Sequence, residues 1–218
     1  PLEIHKIIRG IQGEIITMQN TKISNGVNPI ITISGTPGSG KSTIAKALVK
    51  KYGAKRVYAG GIWRQMAKDR GMTLIELQKA MENDSQVDIE VDKKASQETY
   101  KLAKDSMVIA EGRVLYNFIP ESIKLFIKVD VEEGARRIWL SLQKEENKIK
   151  RNEANVNSLA ELIEKTKQRK ANNIARYTKF YNTDHTDESH YDFVLDTTNI
   201  NAEQATQKVV DFIDKKLK

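Results

Sequence analysis

Gly35-Thr36-Pro37-Gly38-Ser39-Gly40-Lys41-Ser42-Thr43 is the stretch that decides the fold. It satisfies G-x-x-x-x-G-K-[ST], the phosphate-binding P-loop pattern. Its glycines leave backbone N–H groups free to converge on phosphate oxygens. In that pattern Lys41 reaches the β- and γ-phosphates, and the Ser42 hydroxyl sits on Mg²⁺. The flanks agree with it. Pro29-Ile30-Ile31-Thr32-Ile33-Ser34 reads as a buried strand. Ile44, Ala45, Leu48, Val49 and Tyr52 then recur at helical spacing, and Gly53 stands where a helix ends. Strand, glycine loop and helix together aim a helix N-terminus at an anion. Residues 35–43 are therefore the expected ATP site, with Mg²⁺ as the expected cofactor.

Outward from the loop, short apolar runs alternate with helical periodicity. Lys55–Tyr58, Ser106–Ala110, Leu125–Val129 and Phe193–Leu195 read as further strands. Helical patterns lie between them, two opened by capping boxes at Thr73–Glu76 and Ser158–Glu161. A third helix is expected to begin at Asp84, and a closing one runs from Asn201 to Leu217. Such alternation makes a parallel sheet with helices on both faces, the α/β architecture of a P-loop NTPase.

Length and composition bound the rest. At 218 residues the chain suits one α/β domain over 29–218. Residues 1–28 form an extension to which the sequence assigns no role. The absence of Cys excludes disulfides and thiolate chemistry and fits a reducing cytoplasm. Three His are too few for a multi-histidine metal site. No apolar run approaches the ~20 residues of a membrane span, and the opening residues lack a signal-peptide layout. The net charge of +7 comes from scattered lysines with interleaved acids. No basic stripe interleaved with aromatics is present, so a small-molecule phosphate partner is expected rather than nucleic acid. A monomer is the expected state.

A P-loop alone leaves the reaction open. The four apolar residues followed by Asp-Glu that motor ATPases carry are absent. The nearest run is Met107-Val108-Ile109-Ala110-Glu111, followed at once by Gly112-Arg113. At a strand end, Glu111 is placed to hold a Mg²⁺-bound water, with a local capping role as the plainer reading. Arg64, Arg113, Arg136, Arg137, Arg169 and Arg176 lie on several elements after the loop. Transfer between two phosphates gathers more negative charge than one lysine and Mg²⁺ can neutralise, and arginine's planar fork suits phosphate. For any one arginine, a surface ion pair is the competing reading.

Several of these segments resemble the cytidylate kinases, especially the short archaeal type. Ala59-Gly60-Gly61-Ile62-Trp63-Arg64 is similar to the family's Ser-Ala-Gly-Glu-x-[Phe/Tyr]-Arg, and Asp84 to Asp92 is similar to its Asp-x-x-Ile-Asp-x-x-Val-Asp helix start. Glu111-Gly112-Arg113 matches its strand-end triplet, and Arg169, Asn173 and Arg176-Tyr177 follow the spacing of its closing arm. The segment from Tyr181 to Thr197 keeps the order of its last motif.

The resemblance implies a five-stranded parallel sheet of order 2-3-1-4-5, with an acceptor-binding helical insertion near 59–104 and a lid near 137–176. It implies that Arg64, Gly112 and Arg113 bind a nucleoside monophosphate, most readily CMP or dCMP. Asp88, Asp92 and Asn173 join them at base or sugar, with capping or surface roles as alternatives for the two aspartates. Lys41, Arg137, Arg169 and Arg176 would surround the moving phosphoryl group.

The chain departs from that pattern at Tyr58 for serine, Gly61 for glutamate, Asn173 for an acid and Ser141 for an arginine. Lys144, Lys148, Lys150 and Arg151 are alternative sources of lid charge. Two other readings stay open: a kinase for a hydroxyl acceptor, with Glu111 as base, and a non-catalytic ATP-binding module.

Overall fold

The structure, a computed structural model, describes residues 28–80, 85–143 and 156–218. The 1–28 extension (apart from Asn28), the expected helix start at Asp84 and the lid cations Lys144, Lys148, Lys150 and Arg151 lie outside the described residues.

Five strands form one parallel sheet: β1 (Ile30–Gly35), β2 (Lys55–Tyr58), β3 (Val108–Glu111), β4 (Ile123–Lys128) and β5 (Phe193–Asp196). Their spatial order is β2-β3-β1-β4-β5, as expected, and every pairing is parallel. All six residues of β1 are buried, which explains its nearly unbroken apolar run. Its side chains divide between the two faces with period two. Ile31 and Ile33 join Ile109, Leu125, Ile127 and Leu195 in one core. That core packs on α1 (Lys41–Tyr52), through Ile44, Ala45 and Leu48, and on the closing helix Ala202–Lys216, through Val209 and Ile213. Ile30 turns to the other face with Val57, Val108 and Ala110. Leu48 is fully buried, so Leu48→Ala would cost about 2–5 kcal/mol.

On the second face lie α2 (Ala59–Asp69), α3 (Leu74–Ala80), α4 (Ser85–Ala103) and α5 (Leu115–Phe118). α2 starts directly at the end of β2, with Tyr58 as its N-cap. The capping box at α3 forms as expected: Glu76 N donates to Thr73 Oγ1 at 3.2 Å, and Thr73 N donates to Glu76 Oε2 at 2.7 Å. The short α5 after the Glu-Gly-Arg triplet was not foreseen. Its four residues are too few for a periodic pattern.

Beyond β4 come α6 (Val131–Leu142) and α7 (Leu159–Tyr181), which share a small core of Ala135, Ile138, Leu142 and Leu162. The expected capping box at α7 forms by half. Ser158 accepts from Glu161 N, but the Glu161 carboxylate takes Asn157 N, one residue early. A full box forms instead at α8 (Ala202–Lys216), between Asn201 and Gln204. The carboxyl ends of β1, β3 and β4 open side by side where the chain's path across the sheet reverses, the usual ligand crevice of such sheets.

Candidate active site

A cleft of about 690 Å³ opens at those strand ends. Pro37 to Thr43 of the P-loop line its floor. Gly35 and Thr36 were expected to line it and are not among its lining residues: Thr36 N donates to Ile127 O of β4 at 3.1 Å, and its hydroxyl accepts from Val129 N, just past that strand, at 3.1 Å. Gly38 has φ +76°, and a Cβ there would meet the Gly134 carbonyl oxygen at 2.3 Å. The loop therefore presses on α6 too closely for any side chain at that position. Gly40 caps α1 in the left-handed region, leaving the helix's first N–H groups directed at the cleft.

Lys41 follows at once, on the first turn of α1. Its ammonium donates to the carbonyl oxygens of Gly35 and Thr36 at 2.9 and 2.8 Å. Burial lowers its pKa to about 7, and the nearby charges of Arg113, Arg169 and Arg64 press in the same direction against the counteracting Glu111. That combination makes the position a site for negative charge. An anion arriving among four cations relieves both the desolvation and the repulsion.

Ser42 Oγ donates to Glu111 Oε2 at 2.7 Å. Glu111 ends β3, is 2% exposed, and receives the Arg56 guanidinium on its other oxygen. The local capping role considered for Glu111 is therefore displaced by a long-range contact with the P-loop. Both its oxygens are engaged, one by Ser42 and the other by Arg56. Arg113 is positioned by backbone: Gly112 N donates to Ile33 O at 3.2 Å, and Ser34 Oγ to Arg113 O at 2.9 Å. Its side chain bonds Tyr177, and burial, with Arg169 and Arg176 nearby, lowers its pKa.

Of the expected acceptor contacts, Arg64, Gly112, Arg113 and Asp92 line the cleft. Asp88 and Asn173 do not line it; they are 0% and 4% exposed behind the wall. Asp88 Oδ2 lies 3.5 Å from Arg176 Nε, and Asn173 Oδ1 accepts from the same guanidinium at 3.5 Å. Surface and capping roles for the two aspartates are thereby corrected: both are buried, and α4 turns them inward. Asp92 accepts from the Tyr181 hydroxyl at 2.8 Å. Burial and the neighbouring Asp88 raise its pKa to about 7, against the pull of Tyr181, Arg176 and Arg113.

The expected phosphoryl-facing set also divides. Lys41 and Arg169 share the cleft with Arg64 and Arg113. Arg176 does not line it; its guanidinium packs between the rings of Trp63 and Tyr177, 5.7 and 5.2 Å from their centroids. Arg137 lines the donor end but is held there. It donates to Glu133, to Thr197 Oγ1 at 3.1 Å, and to the carbonyl oxygens of Thr197 and Thr198 at 2.6 and 3.2 Å. The cause is the loop after β5, which turns its carbonyls toward α6.

Sequence reasoning passed over three contributors. Tyr177 bridges Arg113 and Arg176, and its only signal was the Arg-Tyr pair at 176–177. Arg56 neutralises Glu111 from within β2, and beside Lys55 it gave no signal that set it apart from a surface cation. His185 is buried against Tyr177 with ring centroids 5.0 Å apart. Burial, and Arg113 after it, hold its pKa near 3, so it stays neutral beside the arginines.

Comparison with known proteins gives the family. Residues 34–124 match the family described as AAA domain. The chain is 37% identical over 175 residues to the cytidylate kinase of Methanopyrus kandleri, covering 79% of this chain and 86% of that one. It is 36% identical over 190 residues to the cytidylate kinase of Methanocaldococcus jannaschii, covering 85% and 97%. Among solved structures, the shikimate kinase of Bacteroides thetaiotaomicron superposes with a TM-score of 0.54 over 85% of this chain and 98% of that one, at 15% identity. That likeness speaks to the fold alone. The chain belongs to the cytidylate kinase family and is an ATP-dependent kinase.

Proposed function

We propose that this member of the cytidylate kinase family transfers the γ-phosphoryl group of ATP to the phosphate of CMP or dCMP, giving ADP and the diphosphate. The observation that carries the reading is the convergence of Lys41, Arg64, Arg113 and Arg169 on one cleft. An uncharged hydroxyl acceptor has no use for two arginines besides those facing the donor phosphates. A second phosphate does.

On this reading ATP lies along Pro37–Thr43, with Lys41 on its β- and γ-phosphates. The acceptor phosphate lies between Arg64 and Arg113, and Asp92 faces the sugar or base. A phosphate monoester is already largely dianionic at neutral pH, so its oxygen attacks the γ-phosphorus without a general base. The new P–O bond forms as the bond to the β–γ bridging oxygen breaks, and ADP leaves with that electron pair. Fixed positions and charge neutralisation supply the rate. Arg169 supports the equatorial oxygens. Arg176, Asp88 and Asn173 act one step removed, holding Tyr177 and the cleft wall in place.

Ser42 and Glu111 offer hard oxygens, the donors Mg²⁺ takes, and that ion is usually held by one or two protein oxygens plus phosphates. Among the described residues no group of three or more His, Asp or Glu side chains suits a metal by itself. The pair fits an ion that arrives with the nucleotide. When bound, Mg²⁺ neutralises charge on the β- and γ-oxygens.

Residues 59–104 serve on this reading as the acceptor-binding region and 137–176 as the lid, with no role assigned to 1–28. Among the described residues no helix is long and apolar enough to cross a membrane. A cytoplasmic monomer acting on free nucleotides completes the proposal. Arg64→Ala tests it: turnover of CMP should fall by about 10²–10³-fold, with ATP affinity nearly intact. An unchanged rate contradicts the acceptor site.

A further inference from the structure

We propose that Tyr58 is a positioning residue of the acceptor site, holding the Arg64 guanidinium in the cleft and linking it, through Arg56 and Glu111, to the P-loop hydroxyl of Ser42. The inference rests on the reading of Arg64 as a ligand of the acceptor phosphate.

Tyr58 ends β2 and caps α2, so its ring stands at the cleft's edge. Arg64 lies one and a half turns into that helix. Its Nη1 donates to the Tyr58 hydroxyl and, at 3.1 Å, to the Gly60 carbonyl oxygen. The face of the same ring carries the Arg56 guanidinium, 4.8 Å from the centroid. Arg56 in turn grips one oxygen of Glu111, and Ser42 donates to the other. One tyrosine therefore touches both guanidiniums: its ring carries Arg56 at 4.8 Å and Arg64 at 5.7 Å, and its hydroxyl accepts from Arg64 alone. A long arginine loses much rotamer freedom when it grips a ligand. Fixing it beforehand removes part of that cost.

The local sequence is shaped to admit the ring. A Cβ on Gly60 would lie 2.8 Å from Tyr58 Cε2 and 3.1 Å from its hydroxyl oxygen, and one on Gly61 would lie 2.9 Å from Cδ1. Two successive glycines weaken a helix start relative to alanine. Here they are the condition for the ring's position.

Tyr58→Phe keeps the ring beside Arg56 and Arg64 and removes the hydroxyl acceptor, leaving Arg64 the Gly60 carbonyl oxygen alone of the two. We expect KM for CMP to rise by about tenfold, the scale of one hydrogen bond to a charged group. KM for ATP and kcat at saturating CMP should stay within about twofold of the native values, and the thermal midpoint should hold. In an Arg64→Ala background the Tyr58→Phe change should add nothing. Gly60→Ala pushes on the ring and should raise KM for CMP in the native protein but not beside Tyr58→Ser. An unaltered KM for CMP, or effects of Tyr58→Phe and Arg64→Ala that multiply, overturns the proposal. Nitrogen-15 relaxation of Arg64 Nε keeps the two claims apart. If the native protein phosphorylates no monophosphate but Arg64 still loosens in Tyr58→Phe, the functional reading fails and the positioning role stands. An Arg64 equally ordered in both proteins refutes the positioning role whatever the activity.

Discussion

Ser42 Oγ and Glu111 Oε2 meet at 2.7 Å although 69 residues separate them. The contact joins the first turn of α1 to the end of β3, and Arg56 completes it from β2. Three elements thus converge on the two oxygens that suit a nucleotide-borne cation, and the parallel register that sets Ile33 beside Glu111 brings them there.

Glu111→Gln keeps the shape and removes the charge. We expect kcat to fall by about 10²-fold at low Mg²⁺ and to recover in part as Mg²⁺ is raised. A Mg²⁺ titration of initial rates measures this. A curve superimposable on the native one would show that Glu111 serves only to anchor Arg56.

Lys41 makes a prediction about protons. Its pKa in the empty cleft is lowered from 10.5 to about 7 by burial and the surrounding arginines. Between those values the unfolded chain binds the proton that the folded chain has lost, so stability of the empty protein rises with pH across that window. Bound triphosphate restores the charge. At pH 8, ATP binding should therefore take up close to one proton, and affinity should fall about tenfold per pH unit above 7. Calorimetry in buffers of differing ionisation enthalpy reads the uptake, which Lys41→Arg should abolish.

Asp92 titrates with the opposite sense. Its pKa is raised from 3.8 to about 7 by burial and by Asp88. The folded state keeps a proton that the unfolded chain gives up, so this stabilising contribution is whole below pH 3.8 and is lost as pH rises through 7. Asp92→Asn still accepts from Tyr181. It should match the native melting point at pH 4 and exceed it by about 5 °C at pH 8. Parallel melting curves at all pH values would refute this.

Arg137 and Arg169 should separate kinetically. Arg137 is fastened to Glu133, Thr197 and Thr198, whereas Arg169 acts on Lys41 across the cleft. Arg169→Ala should lower kcat by about 10²–10³-fold. Arg137→Ala should chiefly raise KM for ATP and lower the melting point by about 2–4 °C. Equal losses of kcat would return Arg137 to the transferring group.

Much of this molecule was legible in the chain. The P-loop with its flanks specified β1 and α1, because a short apolar run, a glycine loop and helical periodicity each act over a few residues. Resemblance supplied the strand order, which no local pattern encodes. Contacts between distant elements were the harder part. Nothing near Asp88 says that α4 turns it onto Arg176, or that the carbonyls after β5 collect Arg137. The sequence leaves Asp88 and Asp92 between base or sugar contacts and capping or surface roles, whereas both are buried against partners roughly ninety positions away. Tyr58 was noticed only as a departure. Its meaning depends on a ring position that two glycines permit.

The most direct test is an acceptor panel at fixed ATP and Mg²⁺: CMP, dCMP, UMP, AMP, GMP and a small hydroxyl acceptor, compared by kcat/KM. The account predicts that CMP and dCMP exceed every other acceptor by about tenfold or more, with the hydroxyl acceptor at background. Equal turnover of all monophosphates, or preferred transfer to the hydroxyl compound, would contradict it.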